Sequence, residues 1–358
     1  MKDQKPAGLS FDSDERRTNP GDSGRRRARF KIGWQKAVRG VNYGERALRR
    51  LTWDNLGWRL GKLLGPASAE TVERMYQLCV KQQAETALRI RVVSWNLKYP
   101  GTRRAGRIAE LEWDLLLLQE VTRKAADSLK AEVAPSSSAF GIDWLSAPHG
   151  RAHGAAILTR GGFAIAEAES LLDLPMRERG VGAVIRGPGG VEFRAVSWHA
   201  PNAAGQGVEF KMTGYTGIIS YLERLTGPVI LGFDANHWNL GTGLEPHSPP
   251  RPGSSAWYLE ELFFSNEPPH GLRDAYLDYL IRNPAEYARV LAERPDGPLA
   301  VTYVRGSKSR PQPDRFDYVF VSDHFSVYGF AHDYEASVEA GSDHATVHAD
   351  LRLNLSKG

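Results

Sequence analysis

The chain has one cysteine in 358 residues, Cys79, and no long apolar run. A single thiol excludes an intramolecular disulfide and argues against a cysteine-based metal site, which suits a reducing compartment. The apolar stretches fall short of the roughly 18 residues that a membrane helix needs. The opening residues MKDQKPAGLSFDSDERRTNP lack the apolar centre of a signal peptide. These shortages lead to the expectation of a cytoplasmic protein with no stable membrane insertion. The remaining composition, 41% hydrophobic and 25% charged, is that of an ordinary globular chain. Its length allows one large domain with an appendage, or two domains.

Acidic residues are scarce at the start. Residues 1–50 hold 14 Lys and Arg against 6 Asp and Glu, whereas residues 51–358 hold 32 against 36. Residues 1–33, with GRRRARFK (24–31) in the middle, are rich in Gly, Pro, Ser and charge and predict a disordered basic tail. Such a tail is either a docking arm for phosphate backbones, membrane surfaces or acidic proteins, or simply a solvated segment. Residues 34–88 predict a small helical module, with helical segments at 51–66 and 68–85 separated at Pro66. Ser68 is a suitable N-cap, and Val72, Met75, Tyr76 and Cys79 recur at helical spacing. Trp53 and Trp58 read as packing residues. No chemistry is visible in this module, which leaves contact with a partner protein as its open role.

From residue 89 to 358 short β-like runs alternate with a few helices. Strands are expected at 89–95, 114–119, 154–160, 181–187, 191–198, 228–234, 299–305, 315–322 and 344–353. Helices are expected at 103–112, 122–133, 208–225, 255–264 and 271–282. Several strands are separated by tight turns alone, so the fold class is α+β with mixed, mainly antiparallel sheets covered by helices.

The ends of those strands share a property. SWNL places Asn96 at one end, LLLLQEV places Glu120, VSWHAPN places His199 and Asn202, and VILGFDAN places Asp234 and Asn236. DRFDYVF and GSDHATV add Asp317, Asp343 and His344. Each residue alone reads as a turn or surface group. Strand ends in a layered fold converge on one rim, however, so these groups together define a candidate site.

In this order the segments resemble the endonuclease/exonuclease/phosphatase superfamily, with its pancreatic-deoxyribonuclease-like fold, over about residues 90–352. The resemblance implies a four-layer αββα sandwich of two packed sheets and a phosphoester hydrolase that uses Mg²⁺ or Mn²⁺. It implies metal contacts from Glu120, Asn96 and Asp343, hard donors that suit such ions. Asp234 is expected to orient or deprotonate water, and Asn236 to hold phosphate or position the metal. By the same resemblance, His344 contacts phosphate with Asp317 behind it, and His199 protonates the leaving oxygen. Whether Asp234 or the His344–Asp317 pair is the base stays open.

Two positions depart from common patterns of that family. Lys98 stands where several members have an acid, which makes it a candidate phosphate contact, and His199 stands where abasic-site repair enzymes have tyrosine. The tracts typical of inositol polyphosphate 5-phosphatases are missing. The basic segment RGSKSRPQPDR (305–315) supplies Arg305, Arg310 and Arg315 as expected substrate contacts, with Asn202 beside them. The expectation is a nuclease with nucleic acid as partner, DNA before RNA. A phospholipid or small phosphoester is the alternative substrate, and a non-catalytic nucleic-acid-binding protein the third reading.

Overall fold

In the computed structural model the described residues are 88–99, 102–146, 152–237, 253–254, 258–259, 262–265, 267–295, 297–307 and 309–354. The tail at 1–33 and the helical module at 34–88 lie outside them, except for Leu88, as does much of the helix expected at 255–264. All described residues belong to the second of two compact units, Thr86–Gly358.

The strands in chain order are β1 (Leu88–Asn96), β2 (Leu115–Thr122), β3 (Ser137–Phe140), β4 (His153–Thr159), β5 (Ala164–Ser170), β6 (Gly180–Arg186) and β7 (Glu192–His199). They continue with β8 (Val229–Asp234), β9 (Arg273–Asp274), β10 (Tyr303–Ser307), β11 (Arg310–Asp314), β12 (Asp317–Val321), β13 (Phe325–Asp333) and β14 (Thr346–Leu353). Two six-stranded sheets have the orders β13-β14-β1-β2-β4-β3 and β5-β6-β7-β8-β12-β9. Each is antiparallel apart from one parallel pair, β1 with β2 and β7 with β8.

The run LLLLQ in β2 shows why the sheets stack. Side chains alternate between the faces of a strand, so a strand buried on both faces reads as continuously apolar. Leu115 and Leu117 enter the core between the two sheets, with Ile90, Val92, Ala195, Ile230 and Val319. Leu116 and Leu118 point the other way, onto Ala105 and Ile108 of α1 (Thr102–Glu110) and Ala126 and Leu129 of α2 (Arg123–Glu132). After α3 (Ala203–Gln206), helix α4 (Val208–Glu223) covers the outer face of the second sheet with Tyr215, Ile218 and Leu222 against Trp198, Leu231 and Phe233. Helices α5 (Ala275–Arg282), α6 (Pro284–Glu293) and α7 (Tyr334–Glu339) follow further along the chain. The result is the four-layer sandwich that the resemblance implies.

Sequence reading and structure part company at the edges. β5 is largely exposed and alternates weakly, and β3 is four residues long, so neither has a clear apolar pattern. The strand expected at 299–305 is β10, shifted to Tyr303–Ser307. The basic segment after it is not an open loop, because it returns as β11 and forms a two-stranded ribbon. Pro311 and Pro313 concealed this strand. In a two-stranded ribbon both strands are edge strands, and edges tolerate proline.

Candidate active site

Along the inner face of β1 the side chains change from Ile90 and Val92 to Ser94 and then Asn96, all within 1% exposure. The space between the sheets thus begins as an apolar core and ends as a polar pocket. At the transition, Gln119 donates from Nε2 to Ser197 Oγ at 3.2 Å, and Ser197 Oγ donates to Leu118 O at 2.9 Å, which ties the sheets together by hydrogen bonds. The approach is close enough that a Cβ on Gly232 would lie 2.6 Å from Leu117 Cδ1, so only glycine fits without displacement.

The second sheet delivers three groups in one row. His199 on β7 is in register with Asp234 on β8, and Asp234 is in register with Asp317 on β12. Residues directly across a ladder share a face, so all three project toward the first sheet. From that sheet Asn96 donates to Asp234 Oδ2 at 2.8 Å. The same carboxylate oxygen lies 3.5 Å from His199 Nε2 and 3.9 Å from His344 Nε2. Its other oxygen accepts the Asn236 backbone N–H at 2.7 Å. The Asn236 side chain meets His199 Nε2 at 2.9 Å and donates to Ala200 O at 2.9 Å. Asp234 is therefore the hub that Asn96, Asn236, His199 and His344 surround.

Glu120 reaches the same place by an irregular route. The register of β2 against β4 shifts between Leu118 and Val121, and Glu120 has φ +56. A bulge re-aims a side chain, and a positive φ at a non-glycine residue marks backbone held by its surroundings. The carboxylate lies 3.5 Å from Asn96 Nδ2 and 3.8 Å from His199 Nε2.

Burial and neighbouring charge set the protonation pattern. Burial pushes Asp234 up to about 6; the adjacent Asp317 adds to this, while His344 opposes it. Burial also raises Glu120, partly offset by His153. His344 resists burial: Asp317 and Asp234 together lift it to about 10, so it is an imidazolium at neutral pH. His199 goes the other way. Burial, Arg179 and His153 hold it well below the usual histidine range, so it is neutral.

The remaining expected residues fall into two groups. Asp343 adjoins the centre: its Oδ2 pairs with Lys98 Nζ at 2.6 Å, while its buried Oδ1 has no hydrogen-bond partner. The Lys98 ammonium is thus engaged by Asp343, and its backbone N–H donates to Asn96 Oδ1 at 2.9 Å. Asn202 caps α3 by accepting from Ala204 N at 2.9 Å. Arg305 pairs with Asp314, and Arg310 is exposed on β11.

Arg315 is a correction. It is fully buried, donates to Asp274 at 2.8 Å and lies against the rings of Tyr276 and Tyr318, so it is a core residue and not a substrate contact. Its segment is charged, but its own position is paid for by an acid 41 residues away in sequence.

Other groups at the centre went unread in the sequence. Arg179 donates to His153 Nε2 at 3.2 Å, and both bear on the charge of Glu120 or His199. The Tyr303 ring packs 4.7 Å from His344. His153 and Tyr303 are the first residues of β4 and β10, and Arg179 ends the short turn just before β6, so none of them closes an apolar run.

Among the described residues, two sets of side chains bring potential ligand atoms within 4.8 Å of one another: Glu120, His153 and His199, and Asp234, Asp317 and His344. The partnerless Oδ1 of Asp343 and the carboxylate of Glu120 are hard donors that fit a divalent cation such as Mg²⁺ or Mn²⁺.

Residues 91–344 match the family described as Endonuclease/Exonuclease/phosphatase family. No curated protein matches the chain. Among solved structures, an endonuclease/exonuclease/phosphatase from Bacteroides vulgatus superposes with a TM-score of 0.52 at 17% identity, covering 74% of this chain and 99% of that one. TDP2 of D. rerio, complexed with single strand DNA product, gives 0.52 at 14% identity, with 74% and 98% covered. The human Nocturnin catalytic domain with bound sulfate anion gives 0.50 at 18% identity, with 74% and 94% covered. At these identities the likeness is one of fold.

Proposed function

The chain belongs to the endonuclease/exonuclease/phosphatase family and is a phosphoester-hydrolysing enzyme, and on that premise we propose that it is a Mg²⁺- or Mn²⁺-dependent phosphodiesterase that cuts nucleic acid, DNA before RNA. The carrying observation is the hub at Asp234: a fully buried carboxylate 2.8 Å from Asn96, 3.5 Å from His199 and 3.9 Å from the cationic His344. A scaffold has no need for so many ionisable groups around one buried acid.

Glu120 and Asp343, with Asn96 beside Glu120, would hold the divalent ion, whose chemistry there is to neutralise charge on the phosphate. Asp234 takes the proton of the attacking water. With its carboxyl pushed up to about 6, it is a stronger base than an exposed aspartate and still ionised at neutral pH. Asn96 and Asn236 orient that carboxylate without adding charge.

The His344 imidazolium, held by Asp317, faces the growing charge on the phosphoryl oxygens and is the site's source of a proton. This reading shifts the leaving-group role from His199 to His344, because His199 is neutral and its Nε2 meets the Asn236 amide. The choice of DNA draws support from the D. rerio TDP2 complex with a single-strand product. The exposed Arg310 on the ribbon next to His344 suits a phosphate backbone.

A cleavage panel tests the reading. Purified full-length protein with Mg²⁺ or Mn²⁺ is offered end-labelled single-stranded DNA, duplex DNA, RNA and vesicles carrying a phosphodiester headgroup. Cleavage of a DNA strand that stops in EDTA is the expected result. Headgroup release with all nucleic acids intact would overturn the substrate assignment.

A further inference from the structure

Helix α4 packs an apolar face on the second sheet, yet that face includes a lysine. Lys211 is 5% exposed. Burying an ammonium is costly unless it is well bonded, and burial brings its pKa down to about 8 against the pull of Asp234. Its Nζ donates to the backbone carbonyl of Asn236 at 2.7 Å. One helical turn later, Tyr215 is 1% exposed, and its hydroxyl donates to the carbonyl of Ala235 at 2.7 Å. Residues four apart share a helix face, so these two groups reach two successive carbonyls of one short turn.

That turn is the one that follows Asp234. Asn236 has φ +46, a conformation that a non-glycine residue keeps only when its surroundings impose it. Its N–H returns to Asp234 Oδ1 at 2.7 Å, and its side chain reaches His199. Ala235 N–H is tied from the opposite side to Phe316 O at 2.8 Å. The turn is held by the strand on one side and by α4 on the other.

We infer that Lys211 and Tyr215 are positioning residues for the reaction: they clamp the carbonyls of Asn236 and Ala235 and so fix the direction in which Asp234 and Asn236 are presented. Neither side chain touches substrate. An apolar residue at 211 would satisfy packing but remove the hydrogen bond to the Asn236 carbonyl and leave the turn freer to relax. The inference rests on the phosphodiesterase reading for its kinetic test, but not for its structural one.

The experiment compares Lys211→Met, Lys211→Arg and Tyr215→Phe with wild type, each confirmed as folded by circular dichroism. Misplacing catalytic groups by about 1 Å costs on the order of 100-fold in rate. Lys211→Met is expected to lower kcat by roughly 10- to 100-fold with KM within about threefold, and Lys211→Arg to recover most of the loss. Lys211→Met combined with Tyr215→Phe should lose less than the product of the two single effects, because both act on one turn.

Hydrogen exchange of the peptide carrying residues 234–237 gives a readout that needs no turnover. Faster exchange there in Lys211→Met, with the β7 and β8 cores unchanged, supports the clamp. Unchanged exchange and a kcat within about twofold of wild type would overturn it. If wild type cleaves nothing, the substrate reading fails and the exchange result alone decides on the clamp.

Discussion

Both carboxylate oxygens of Asp317 lie within hydrogen-bonding reach of His344 Nδ1, at 3.1 and 2.9 Å. Burial opposes a charge on this ring, but Asp317 and Asp234 raise its pKa from 6.5 to about 10. The stability gained from this pair is complete below pH 6.5 and is lost as the pH rises through about 10. Replacing Asp317 by Asn removes the principal support of the cation and leaves burial to lower the pKa. The kcat/KM profile of Asp317→Asn should therefore lose its activity at a lower pH than wild type, with at least ~10-fold less activity at pH 8. An unchanged alkaline limb would separate His344 from the chemistry.

Asp234 has a linkage of the same sign but from another cause. Its carboxyl rises from 3.8 to about 6 because burial disfavours the anion, so the folded protein binds this proton more tightly than the unfolded chain. Stability is then lost as the pH rises from 3.8 through about 6, and the full cost persists above. Asp234→Asn in EDTA should be more stable than wild type at pH 7.5, by up to about 3 kcal/mol, and the gap should close toward pH 4. Urea unfolding at the two pH values measures it. Lower stability of the variant at pH 7.5 would mean that the acid is retained for folding.

Arg315 and Asp274 form a buried pair at 2.8 Å, with the arginine fully enclosed between aromatic rings. Breaking one side leaves a buried charge unpaired. Arg315→Met should destabilise the fold by about 3–5 kcal/mol in urea unfolding. The KM of the remaining folded protein should not change. A raised KM with normal stability would return Arg315 to the substrate contacts.

How far the sequence could lead depended on whether a residue's partners were near in the chain. The strand ends were readable because each apolar run stops at a polar residue, and the apolar core between the sheets directs all of them to one rim. LLLLQEV announced both a doubly buried strand and Glu120. Arg315 was misplaced because its partner Asp274 is remote and nothing local marks the pair. β5 and β11 lie at edges where burial is slight or prolines intervene, so no alternation shows. Lys211 was hidden inside the stripe of α4, since its target is a backbone carbonyl, which leaves no trace in residue type.

Arg310 is exposed on β11, whose partner strand begins beside His344. A surface arginine that neutralises one phosphate adds affinity without base preference. Arg310→Ala should raise KM for DNA by a few fold across all sequences and reduce the slope of log affinity against log salt by about 1. The kcat should stay the same. An unaltered salt slope would move the DNA path to another face.

The decisive measurement is single-turnover hydrolysis of end-labelled DNA by wild type, Glu120→Gln and Asp234→Asn, with Mn²⁺ and at equal folded concentration. A single phosphodiester-cleaving centre around Asp234 requires that each substitution slow product formation by at least ~100-fold while DNA binding persists. Rates equal to wild type in either variant would contradict the assignment of this buried cluster as the place of reaction.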